Sequence, residues 1–163
     1  MTGWPPPILD ALYKGERDRA RALAVESEGF DVFEAAALGD APRLEELLRE
    51  DAELARAWTP DGFTALHYAA FFGSPEAVRA LVAAGADVEA TSTNQEFAPE
   101  ATPLHSAAAA GRMDNAEALL DAGADPNARQ HGGFTPLMEA EQRGDLDLAE
   151  LLIRHGAYAG GGA

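Results

Sequence analysis

Cysteine is missing from the 163-residue sequence. Its absence excludes disulfides, zinc–thiolate centres, iron–sulfur clusters and cysteine nucleophiles. Basic residues are scarce: lysine occurs once, at Lys14, and 12 Lys and Arg face 28 Asp and Glu, a formal charge of −16. Such a surface repels phosphate backbones and anionic headgroups, so neither nucleic acid nor a membrane is expected as a partner. No stretch approaches the roughly 20 apolar residues that cross a bilayer. The start, Met1-Thr2-Gly3-Trp4-Pro5-Pro6-Pro7, lacks the basic and apolar runs of a secretion signal, so the expected location is the cytoplasm. What is present, 47% apolar and 25% charged residues, is the composition of an ordered soluble domain.

Order along the chain comes from internal repetition. Glycines at 39, 73, 111 and 144 are separated by 34, 38 and 33 residues, and Gly85, Gly123 and Gly156 follow the last three of them by 12. Before these glycines stand Thr64-Ala-Leu-His67-Tyr-Ala-Ala70, Thr102-Pro-Leu-His105-Ser-Ala-Ala108 and Thr135-Pro-Leu-Met138-Glu-Ala-Glu141. After them come apolar pairs at plus eight and plus nine: Leu47/Leu48, Leu81/Val82, Leu119/Leu120 and Leu152/Ile153. Each unit reads as two short helices. Threonine caps the first, with proline at its first position where the lost amide is harmless, and alanines let neighbouring helices approach. The second opens at Ser74-Pro75-Glu76 or Asp145-Leu146-Asp147 and stops at a glycine.

The recurring Thr-Pro-Leu-His, Ala-Ala, Gly and Gly-Ala-Asp elements resemble the ankyrin repeat. The match is close over residues 61–158 and looser over 30–60, where Asp31 and Glu34 are placed to form a capping box. The resemblance implies an all-α solenoid of stacked helix-turn-helix pairs with short β-hairpin-like fingers, as one domain over 1–158. Within it, 30–60 is the first repeat, 61–100 the second, 101–131 the third and 132–158 the last. Residues 7–28 repeat the same spacing around Gly15 and read as a degenerate cap without a finger, and 159–163 as a flexible tail. End units must be wettable, which suits Glu16, Arg17, Asp18, Arg19 and Arg21 at one end and Asp145, Asp147, Glu150 and Arg154 at the other.

Candidates for chemistry are few. No His-Glu-x-x-His spacing, nucleophile elbow or phosphate-binding glycine loop occurs, so no catalytic residue, metal or cofactor is expected. In the ankyrin family the positions of His67 and His105 are structural, bonding within the turn. His155 suits a helix C-terminus, and His131 at a finger tip is the histidine open to a partner. The carboxylates read as a solvated face. Glu141 stands where other units carry Ala70 and Ala108, with solvent or a nearby arginine as alternative partners.

The aromatics are more informative. On a helical wheel Phe71 and Phe72 lie more than about 100° from the centre of the Leu66/Ala69/Ala70 stripe, while the equivalent residues elsewhere are Ala37/Leu38, Ala109/Ala110 and Gln142/Arg143. In ankyrin proteins these positions, with the fingers, form the concave surface that grips partners. That resemblance places Trp58, Phe63, Phe71 and Phe72 together as exposed anchors. Five extra residues sit in the finger 91–100, whose Phe97 either joins the anchors or covers Phe71 and Phe72 as a lid. His131, Phe134, Gln142 and Arg143 complete the candidate surface. The expectation is a monomeric, non-catalytic module that binds another protein, through a basic or amphipathic segment drawn by the acidic surface. The alternative is an acidic mimic that blocks a basic, nucleic-acid-binding protein surface.

Overall fold

The computed structural model describes residues 3–159, so Met1, Thr2 and residues 160–163 of the expected tail lie outside the described residues. Ten α-helices follow in order among the described residues. They are α1 (Pro7–Tyr13), α2 (Arg17–Glu26), α3 (Val32–Leu38), α4 (Ala41–Glu50), α5 (Ala65–Phe72), α6 (Pro75–Ala83), α7 (Pro103–Ala109), α8 (Met113–Asp121), α9 (Pro136–Arg143) and α10 (Leu146–Arg154). Short 3-10 turns occupy Ala52–Arg56 and His131–Gly133.

Local chemistry sets the helix starts. Asp31 accepts from the Glu34 amide at 2.9 Å and Glu34 accepts from the Asp31 amide at 3.0 Å, a closed capping box on α3. Thr102 and Thr135 cap α7 and α9 just ahead of Pro103 and Pro136. Asp40, Ser74 and Asp145 do the same for α4, α6 and α10, accepting amides at 3.1, 3.2 and 3.1 Å. Each such cap contributes about 1 kcal/mol.

Stacking then buries what one pair leaves open. α3, α5, α7 and α9 form an inner row and α4, α6, α8 and α10 an outer row. Leu44, Leu66, Leu81, Leu104, Leu119, Leu148 and Leu152 are fully buried between the rows. Ala35, Ala36, Ala69, Ala70, Ala107, Ala108 and Ala140 are equally buried, and their small side chains bring the inner helices together. The fingers contain no strand among the described residues. They are tight turns, with one isolated bridge between Trp58 and Thr64 and closing bonds such as Thr59 N–H to Phe63 C=O, 2.8 Å, and Gln130 N–H to Phe134 C=O, 2.9 Å.

Polar side chains join successive units. His67 Nδ1 lies 3.2 Å from the Thr64 amide, which only donates, so Nε2 carries the proton and gives it to the Ala101 carbonyl at 2.8 Å. His105 repeats this between Thr102 and the Phe134 carbonyl, 3.0 Å away. The histidines therefore bond within the turn and also across to the next unit. Asn115 on α8 is buried and donates to the Ala69 and Ala70 carbonyls of α5, at 3.2 and 3.0 Å. Asn115→Ala should lower unfolding free energy by about 1–3 kcal/mol in urea titration, because buried carbonyls lose a donor. An unchanged midpoint would show those bonds to be inert.

The first helix pair departs from the stack. α2 packs on α1, and Ala20 is its only fully covered residue, so the outer row effectively begins at α4. Ile8, Leu9, Ala11 and Leu12 of α1 are buried. Trp4, just before α1, meets Phe33 near the start of α3 edge-on at 6.3 Å. Tyr13, at its end, meets Phe72 near the end of α5 at 5.7 Å. α1 thus runs across the inner face of α3 and reaches α5, two pairs further on.

Candidate partner-binding surface

The expected four-ring anchor cluster does not form as one exposed patch. Instead the rings make a string. Trp58 tilts toward His67 at 6.4 Å, and Phe63 meets His67 at 5.6 Å and Tyr68 at 6.1 Å. Tyr68 meets Tyr13 at 6.2 Å, Tyr13 meets Phe72, and Phe72 meets Phe71 at 4.7 Å. Trp58 and Phe71, 46% and 39% exposed, lie at opposite ends of that string. Phe63 and Phe72 are half-buried against the core. A helical wheel sees only a helix's own turns, and the cover on Phe72 comes from a distant segment.

That cover is α1, and the 91–100 finger plays no part in it. Tyr13 donates its hydroxyl to Asp61 Oδ2 at 2.8 Å and lies 2.7 Å from the Tyr68 hydroxyl, which itself donates to Asp61 Oδ1 at 3.0 Å. The Thr59 hydroxyl also donates to Asp61. Burial above all pushes both phenols above their ordinary range, so both remain protonated donors to the carboxylate. Arg17 completes the seat by donating to the Phe72 carbonyl at 2.6 Å, at the C-terminus of α5 where a cation is favoured. Tyr13, Arg17, Asp61 and Tyr68 escaped sequence reasoning. One signal was available: Tyr13 stands two residues before Gly15 as Phe71 stands two before Gly73.

The 91–100 finger is held against the preceding finger at Asp61 and Gly62. The Thr93 amide donates to Gly62 C=O at 3.0 Å and Asn94 Nδ2 to Asp61 C=O at 2.9 Å. Asn94 Oδ1 accepts the amides of Glu96 and Phe97 at 2.9 and 2.7 Å, closing a side-chain turn. Gly62 is required beneath it, since a Cβ there would lie 2.6 Å from the Asn94 nitrogen. At the tip Phe97 is 82% exposed, so it is no lid. The His131 amide donates to Pro99 C=O at 3.1 Å, tying this finger to the next, where His131 and Phe134 are exposed.

On α9, Gln142 and Arg143 are exposed, but Arg143 is already engaged: its Nη1 donates to the Ala109 carbonyl at 2.9 Å. Glu141 is exposed and forms no ion pair among the described residues, which answers its alternative in favour of solvent. No group of three His, Asp or Glu able to hold a metal gathers among the described residues. No helix there is long and apolar enough to cross a membrane.

A family model described as ankyrin repeats, three copies, matches residues 8–92, 32–130 and 90–160. The chain belongs to the ankyrin-repeat family. No match was found among curated proteins. Ankyrin repeats are generally protein–protein interaction modules and typically non-catalytic. In this ankyrin chain Tyr13 and Arg17 of its own first helix pair cover Tyr68 and Phe72 on α5. The finger rim around Phe97 and the end of α9 at Gln142 stay open to solvent, while α7 has no exposed residue.

Proposed function

We propose that the protein binds another protein through the finger rim of its second to fourth repeats. Phe97 is the principal anchor and Phe134 and His131 flank it, with Trp58, Phe71 and Gln142 at the margins. One observation carries the reading: a large apolar side chain, 82% exposed, sits on a loop that the fold bolts down through Thr93, Asn94 and Pro99. A pre-ordered aromatic loses little conformational entropy on binding, and aromatic anchors commonly dominate interfaces. Glu96 and Glu100 beside it, within a charge of −16, favour a partner segment that is basic or amphipathic.

Affinity purification from source cells, comparing the parent with Phe97→Ala, tests this. The variant should keep its urea midpoint and lose the bound chains by roughly tenfold or more, the cost of an interface anchor. An unchanged set of bound chains sinks the anchor. Capture that survives Phe97→Ala yet collapses with added salt selects the acidic-mimic reading, because screening weakens exposed charge pairs first.

A further inference from the structure

We propose that residues 3–28 form a self-docked arm: they occupy the inner face of α3 and α5 as a partner would, and they open as a unit while α3–α10 stay folded.

The first support is topology. In a stack each unit touches its neighbours, but Tyr13 passes over α3 to pair with Tyr68 and Phe72 of α5. The second is the junction. The connection at 27–29 is exposed, and α3 carries its own closed capping box, Asp31 with Glu34, so its start does not depend on α2. The third is the remainder: α3–α10 keep four complete pairs with continuous inner and outer rows, enough for a solenoid to stand alone. The fourth is the seat itself. Beyond the apolar side of α1, it is held at the far end by two directed bonds, Tyr13 to Asp61 and Arg17 to the Phe72 carbonyl, with the Tyr13 and Tyr68 hydroxyls side by side on that carboxylate. Opening exposes Tyr68 and Phe72 and leaves Asp61 and the α5 C-terminus short of one donor each. Local opening below the global unfolding free energy is the ordinary behaviour of such peripheral units.

The two tryptophans make the test direct, since Trp4 lies in the arm against Phe33 and Trp58 lies in the second repeat. Full-length Trp58→Phe leaves Trp4 as the sole reporter, and full-length Trp4→Phe leaves Trp58. In urea titrations followed by fluorescence, the Trp4 transition should precede the Trp58 transition. Adding Tyr13→Phe with Arg17→Gln, which keeps the ring and removes the bonds, should lower the Trp4 midpoint by about 0.5 M or more and leave the Trp58 midpoint in place. Coincident transitions in the parent, or midpoints that move together in the variant, overturn the proposal and make residues 3–28 an inseparable end unit. The measurement needs no partner, so its failure leaves the Phe97 reading standing, and the converse holds.

Discussion

Gly73→Ala should lower unfolding free energy by about 3 kcal/mol or more, the upper part of what overpacking costs. The reason is space. Gly73 lies outside the left-handed region, with φ −89°, but a Cβ there would lie 2.2 Å from the Ala36 carbonyl oxygen and 2.9 Å from the Ala69 Cα and oxygen. All three are backbone atoms, so no side chain can swing away. The end of α5 must distort and α3 and α5 must separate, and they meet through Ala35, Ala36, Ala69 and Ala70, all fully buried. Loosening that seam also tilts α5 beneath Tyr13. Urea titration followed by Trp58 fluorescence reads the loss, and a midpoint within experimental scatter of the parent would show that the helices slide apart at little cost.

Acid should weaken the fold through His67. Burial lowers its folded pKa to about 4, with the nearby His105 adding slightly and the bond to Ala101 opposing. In the unfolded chain the ring titrates near about 6.5. Between those values the unfolded chain holds more protons, so stability is full above about pH 6.5 and falls as pH drops toward 4. Between pH 7 and pH 5 the loss is on the order of 2 kcal/mol from His67 alone. His105, lowered chiefly by burial, acts in the same direction. Glu34 and Glu89 act oppositely: burial raises both, so their contribution grows as pH falls through the carboxylate range. The comparison that isolates His67 is the change in unfolding free energy from pH 7 to pH 5 in the parent and in His67→Gln. Most of the parent's loss should vanish in the variant, and equal losses would show that His67 does not titrate in that window.

The helix pairs were readable because their causes are local. Thr102, Pro103, Leu104 and His105 carry a cap, a start, a core contact and a tie within four consecutive positions, and each acts on its own turn or the next unit. Asn115 was missed, although it left a trace. It stands four residues after Gly111, where the second and last units place Ala77 and Leu148, both buried, and the first places the partly buried Arg43. A polar residue at an apolar position announces a buried partner without saying which. Phe72 was read as exposed because periodicity reports the face a residue occupies on its own helix and nothing about what lies opposite, and Phe63 because the ankyrin resemblance puts it on a finger.

By itself, then, the sequence determined the paired-helix repeat, the helix register, the alanine seam, the caps and the extra residues in one finger, since these depend on short-range spacing and stereochemistry. Only the tertiary structure decided which aromatics meet solvent. Whether Phe72 is an anchor or a core residue depends on Tyr13 and Arg17 arriving from another unit. Whether Phe97 is a lid or a presented side chain depends on bonds from its loop to Asp61, Gly62 and the next finger. Those contacts join segments far apart in the chain, and their strength comes from burial and hydrogen-bond geometry that exist only once the stack has formed.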